Sequence, residues 1–210
     1  MNIPKFEHLP ARYGLKQYPL NIDAALENWP HLFKQAYGRD WRPLHVEQLR
    51  ALLAYASGNP SPLAADRGVY IHGKVGTGKS MLLEPLRHFT LHYWRENWWR
   101  AFDCNTIALV RNEEAFAAYI NWQKPAYFDD LGSEPLSVKL YGSELFPMLE
   151  VITARYNLWQ RLGVPTHFTS NYDLAWCDEH YGTRVASRIA EMCTVIEIKG
   201  ANLRKSGGNP

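Results

Sequence analysis

The sequence predicts an α/β sandwich built around a mostly parallel sheet. Three observations carry that expectation. Short apolar, strand-like runs alternate with helically periodic ones along most of the chain. The first of these strands joins its helix through a glycine-rich turn, Gly73-Lys74-Val75-Gly76-Thr77-Gly78-Lys79-Ser80. Two adjacent carboxylates, Asp129 and Asp130, end a later apolar strand.

Residues 1–43 form a segment rich in proline and aromatic residues, in which Pro4, Pro10, Pro19, Pro30 and Pro43 alternate with Tyr13, Tyr18, Trp29, Phe33, Tyr37 and Trp41. The prolines argue against one long helix and leave room for two short ones, Asp23 to Trp29 and Pro30 to Tyr37. The segment is expected to pack on the main domain, with docking to a partner as the alternative. The main domain spans 44–200. Its first helix, Leu44 to Ala56, places Val46, Leu49, Leu52, Leu53 and Ala56 on one face. A linker, Ser57 to Pro62, stops it. The first strand, Gly68 to His72, leads into the glycine-rich turn. The helix beginning near Lys79 buries Leu82, Leu83, Leu86, Phe89 and Tyr93, with Pro85 removing one backbone bond inside it.

The stretch from His92 to Arg100 mixes basic and aromatic residues. Such a pattern can stack single-stranded nucleic acid, although tryptophans tucked under a sheet edge explain it better. A second strand is expected in Trp98 to Cys104, a helix over 106–121, and a third strand at Ala126 to Phe128. A long helix carries Leu145, Leu149, Ile152, Tyr156 and Trp159 and closes at Gly163. A fourth strand, Thr166 to Thr169, a helix near Thr183 to Met192 and a fifth strand, Thr194 to Ile198, complete the domain. Residues 201–210 read as a disordered tail.

Composition excludes several classes. The 210 residues carry 23 Lys and Arg against 21 Asp and Glu, a net charge of +2, which neither demands nor forbids a nucleic-acid partner. Cys104, Cys177 and Cys193 show no paired spacing, so a disulfide or zinc framework is not expected, and reduced thiols suit a cytoplasmic protein. No apolar run has the length of a membrane span and no signal-peptide pattern opens the chain.

The turn at 73–80 reads G-x-x-x-x-G-K-S between a strand and a helix. Glycines let successive N–H groups point inward at an anion, and the helix aims its positive end at the same place. Lys79 can reach terminal phosphates and the Ser80 hydroxyl can hold magnesium. Asp129 can ligate that metal, directly or through water, while Asp130, on the other side of the strand, can orient an attacking water. Asn171, just past the fourth strand, can meet that water or the terminal phosphate; taken alone it is an ordinary turn residue. Arg184 and Arg188 lie one helical turn apart on one face. Either they are surface arginines near a helix end, or one of them stabilises transition-state charge in a neighbouring subunit's site.

From about Leu44 to Arg204 the chain resembles the DnaC/IstB-like group of AAA+ ATPases, the bacterial helicase loaders and transposition helpers. The resembling stretches are Gly-Lys-Val-Gly-Thr-Gly-Lys-Ser at 73–80, Tyr-Phe-Asp-Asp-Leu-Gly-Ser-Glu at 127–134, Thr-His-Phe-Thr-Ser-Asn at 166–171 and Tyr-Gly-Thr-Arg-Val-Ala-Ser-Arg-Ile-Ala-Glu-Met at 181–192. The first is common to many nucleotidases, and the last two are the more discriminating. The resemblance implies a P-loop domain of AAA+ type with a five-stranded parallel sheet ordered 5-1-4-3-2 and a C-terminal lid absent or minimal. It implies ATP and Mg2+ as ligands. Nucleotide contacts run from Gly73 through Met81, with Lys79 and Ser80 in Walker A, Asp129 and Asp130 in Walker B and Asn171 at sensor 1. Arg188, with Arg184 second, matches the arginine finger of a homo-oligomeric ring or spiral. Asp130 stands where many relatives carry Glu, which implies slow hydrolysis stimulated by DNA or a partner. The implied role is a helicase loader on single-stranded or double-stranded DNA with a replicative helicase as partner. The alternatives are a transposase helper, a small-molecule P-loop kinase and a non-hydrolysing nucleotide switch.

Overall fold

The computed structural model describes residues 13–18, 20–38, 40–42, 44–93, 97–110, 112–140 and 142–203. Of the tail expected to be disordered over 201–210, residues 204–210 lie outside the described residues, as does the middle of the basic and aromatic stretch at 94–96, whereas 201–203 are described and Leu203 N–H donates to Gly76 O at 2.9 Å.

Five parallel strands make the sheet: β1 (Gly68–His72), β2 (Arg100–Asp103), β3 (Ala126–Leu131), β6 (Thr166–Ser170) and β7 (Cys193–Glu197). Across the sheet they run β2-β3-β6-β1-β7. Counting these five strands alone and starting from the far edge, that is the expected 5-1-4-3-2. A separate antiparallel hairpin joins β4 (Val138–Leu140) to β5 (Ser143–Leu145).

Side-chain alternation gives the sheet two apolar faces. Tyr70, Phe102, Phe128 and Phe168 point to one face, and their registers align them in a row across four strands. Ring centroids along that row lie 5.3, 5.5 and 6.4 Å apart. Helices α4 (Cys104–Ala108), α5 (Glu113–Ile120), α6 (Pro147–Leu162), α7 (Leu174–Tyr181) and α8 (Thr183–Met192) contribute the rest of this core. Val69, Ile71 and Tyr127 point to the opposite face, under α1 (Ile22–Tyr37), α2 (Val46–Ala56) and α3 (Lys79–Tyr93). Among the described residues no helix is long and apolar enough to cross a membrane.

Four local expectations are corrected. Residues 22–37 form one helix through Pro30 instead of two short ones. An internal proline costs about 3 kcal/mol. Burial of Trp29 and Phe33, about 1.5–3 kcal/mol each, together with an Asn21 N-cap and a left-handed Gly38 C-cap, offsets it. The helix expected over 106–121 is instead two, because Asn112 accepts the Ala115 N–H at 2.6 Å and starts a new helix there. Leu145 belongs to β5, and the long helix starts at Pro147, whose fixed φ suits a first helical position. Helix α7, capped by Asp173, fills a stretch for which no element was expected.

The tryptophan under the sheet edge is as expected. Trp99 is buried, with its ring 4.7 Å from that of His167. A buried arginine anchors the same region: Arg155 donates to Thr166 Oγ1, Trp122 O and Pro165 O at 2.8, 2.6 and 3.2 Å. Burial, and then the Arg155 charge, push the His167 imidazole down to about 3. An unfolded histidine takes up its proton near pH 6.5, whereas the native one stays neutral until about pH 3. The unfolded chain therefore binds the extra proton between those values, and native stability must fall as the pH drops below about 6.5. Urea unfolding should show that His167→Phe reduces the stability difference between pH 7 and pH 5 by about 2 kcal/mol.

Candidate functional site

The site lies at the C-terminal ends of β1, β3 and β6, where loops leave an open sheet. The loop 73–78 follows β1 and runs into α3. Gly76 adopts φ +79° and Gly78 φ +98°, conformations that a side chain would strain. Lys79 is 5% exposed and folds back into the loop. Its Nζ donates to Gly73 O at 2.8 Å, to Lys74 O at 3.0 Å and to Asn171 Oδ1 at 2.8 Å. The loop and the turn after β6 are thus tied together through one ammonium.

Ser80 Oγ donates to Asp129 Oδ1 at 2.8 Å. That carboxylate oxygen also accepts from Tyr127 and from Thr169. Burial, then the charge of Asp129, push the Tyr127 phenol up, so it remains protonated and donates. Three donors aim Asp129 at Ser80. Asp130 diverges from it: the register of β3 against β6 shifts between Phe128 and Leu131, and Asp130 takes φ +57°. Its N–H donates to Thr169 Oγ1 at 3.0 Å, and its C=O accepts from Ser133 N–H and Oγ at 3.0 and 2.6 Å. The bulge lets two neighbouring carboxylates serve different places.

Glu134 pins the loop that follows. It is buried, accepts from Gly132 N–H at 2.9 Å and from the Tyr181 hydroxyl, and its carboxyl is pushed up, burial being the largest cause.

A cavity of about 870 Å³ opens over the loop, within the range of small-molecule sites. Val75, Gly76, Gly78, Lys79, Ser80, Met81, Asp130 and Asn171 line it, all expected from the sequence. Gly73 and Lys74 turn their carbonyls to Lys79, and Thr77 is buried. Asp129 stands behind Ser80. Arg184 and Arg188 do not line this cavity. Arg184 is exposed, whereas Arg188 is half-buried, donates to Thr153 Oγ1 at 2.7 Å and lies 5.2 Å over the Tyr156 ring.

Sequence reasoning missed two walls. Asp40, Trp41, Arg42, Leu44 and His45 line the cavity from the N-terminal side, so it straddles the boundary expected at residue 43. His45, at φ +60°, donates from Nε2 to Thr77 O at 2.8 Å, a carbonyl being able only to accept. Leu203 lines the cavity from the C-terminal side. Neither wall has a local sequence signal.

No family model matches the chain, and no curated protein does. Among solved structures it is similar to a candidate primosome component from Streptococcus pyogenes serotype M3, at 23% identity and TM-score 0.55, over 75% of this chain and 80% of that one. It is similar to the DnaC helicase loader at 26% identity and TM-score 0.51, over 76% of this chain and 94% of the other. It is also similar to a replication initiator DnaA bound to AMPPCP and single-stranded DNA, at 18% identity and TM-score 0.50, covering 74% and 46%. The fold is that of an AAA+ P-loop domain.

Among the described residues no cluster of three or more His, Cys, Asp or Glu side chains is arranged to hold a metal. The Ser80 hydroxyl and the Asp129 carboxylate do suit magnesium, which takes hard oxygens and draws its remaining ligands from water and phosphate. Thr169 holds the Asp129 carboxylate and the Asp130 backbone N–H. Replacing it by valine leaves the Asp130 N–H without its acceptor and Asp129 with one donor fewer. Thr169→Val should lower the unfolding free energy by about 1–3 kcal/mol, measured by denaturant titration of the nucleotide-free protein.

Proposed function

We propose that this chain is an ATP-hydrolysing AAA+ protein of the helicase-loader type, assembling with ATP on single-stranded DNA and contacting a replicative helicase. The observation that carries the enzymatic half is the convergence of Lys79, Ser80, Asp129, Asp130 and Asn171 around one loop and one cavity. The DNA and helicase half is supported by likeness to the DnaC helicase loader and to a DnaA bound to nucleotide and single-stranded DNA.

In this reading the inward N–H groups of 73–78 and the α3 N-terminus bind the phosphates. Lys79 leaves the Gly73 and Lys74 carbonyls and donates to phosphate oxygens. Ser80 and Asp129 would hold magnesium, which would neutralise phosphate charge there. Asp130 orients the attacking water, and Asn171, released from Lys79, donates from its amide nitrogen to that water or to the terminal phosphate. Since Asp130 is shorter than a glutamate, the water sits less close to its acceptor and turnover is slow.

Arg188 serves the site of a neighbouring copy. Both arginines lie outside their own cavity, and the steadying of Arg188 by Thr153 and Tyr156 supports that assignment over Arg184. The neighbouring copy's site is then incomplete without it.

Two substitutions separate binding from turnover. Lys79→Ala removes the ammonium and should weaken binding of a non-hydrolysable ATP analogue by about 100-fold, read by calorimetry. Arg188→Ala should leave that affinity unchanged and lower ATP turnover about 1000-fold at protein concentrations that saturate assembly. Turnover unchanged in Arg188→Ala would remove the role in trans. A sizing run that shows no ATP-dependent growth, with and without single-stranded DNA, would remove the assembly.

A further inference from the structure

We infer that Glu134 is a positioning residue for turnover in trans: through Tyr181 it sets how one copy presents its α8 arginine to the nucleotide site of the next. The inference deepens the reading of Arg188 above and rests on it.

The loop after β3 is closed down on the end of the sheet. Ser170 Oγ, at the end of β6, donates to Leu131 O at 2.7 Å and accepts from Tyr172 N–H at 3.1 Å. Gly132 takes φ +94°, and a Cβ there would lie 2.8 Å from the Tyr172 ring and 2.9 Å from that of Trp176. The loop is thus seated against the start of α7, two residues beyond Asp130. Gly132 N–H and the Tyr181 hydroxyl then meet on one carboxyl, Glu134 accepting the first on Oε2 and the second on Oε1. Both Glu134 and Tyr181 are buried.

Tyr181 ends α7, and Gly182 alone separates it from α8. Gly182 takes φ +87° and ψ 153°, a conformation that suits glycine. Its N–H donates to Asp178 O at 3.0 Å, and its O accepts from the Val185 and Ala186 N–H groups at 3.0 and 3.2 Å. One residue therefore closes one helix and opens the next, so a displacement of Tyr181 carries the first turn of α8 with it. Arg184 lies in that turn and Arg188 one turn on. Arg188 rests on Thr153 and Tyr156 of α6. The Glu134 link fixes a second point on the same helix, and the two contacts together set its tilt.

Stability alone does not account for the pair. Taking a carboxyl out of water carries a cost that an apolar side chain of similar size avoids. What two acceptor oxygens supply here is a defined separation between the loop after β3 and the end of α7. Glu134 does not line the cavity, so its effect on the reaction passes through other residues.

Mixed oligomers test this. Asp130→Asn donors, which offer Arg188 but do not turn over ATP, are combined with Arg188→Ala recipients, whose own cavities are intact. An equal mixture should regain about a quarter of wild-type turnover, the share of head-to-tail contacts that set a donor arginine beside a recipient site. Adding Tyr181→Phe to the donor should lower that regained turnover about tenfold, and adding it to the recipient less than about twofold. Glu134→Gln, which keeps the side-chain volume and one acceptor oxygen, should repeat the asymmetry as a second variant. Damage to the fold would act alike in either placement. Equal losses in donor and recipient overturn the inference, and so does no loss in either. An unsubstituted mixture that regains nothing removes the role of Arg188 in trans, and the inference with it.

Discussion

A single ammonium sets the logic of the site. Lys79 is nearly buried and donates to two loop carbonyls and to the Asn171 side chain. A polyanion entering the loop would exchange these bonds to neutral acceptors for charge-assisted ones, which are roughly twice as strong. Asn171, no longer engaged by Lys79, is then available to the reacting end. The link between β1 and β6 is thereby sensitive to what the loop holds.

The surroundings keep the exchange local. Asp129 is fixed by Ser80, Tyr127 and Thr169 from three directions, and Asp130 is turned away by a bulge whose carbonyl Ser133 holds twice. Beneath them the aromatic row from Phe102 to Tyr70 packs one face of four strands. A close-packed floor of this kind transmits displacement rather than absorbing it. Glu134 carries the connection further, joining Gly132 to Tyr181 at the end of α7, directly before the helix that bears Arg184 and Arg188. A buried carboxyl with two partners thus links the loop after β3 to the junction of α7 and α8.

Much of this was legible in the sequence because it is local. The loop motif, the Asp129–Asp130 pair and the alternation of strands with helices each reside in a few consecutive residues, so the parallel sheet followed, while its strand order came from the family resemblance. Elements governed by tertiary packing did not. Trp29, received by α2 and α3, and Phe33, packed on Tyr37 and Trp41, carry a helix across Pro30. Leu145 matched a helical period although Pro147 starts the helix. His45 and Leu203 entered the cavity from segments remote in sequence, and neither position bears a motif. Placing Arg184 and Arg188 on one helix needed only their spacing. That Arg188 rests on Tyr156 while Arg184 projects outward required the fold.

The central claim is that triphosphate takes the place now filled by the Lys79 contacts. A crystal structure of the chain with a non-hydrolysable ATP analogue and magnesium tests it most directly. The account predicts phosphate oxygens within hydrogen-bonding distance of Lys79 Nζ, with the metal between Ser80 and Asp129 and with Asn171 detached from the lysine. Nucleotide bound elsewhere, with Lys79 still held by Gly73, Lys74 and Asn171, would contradict it.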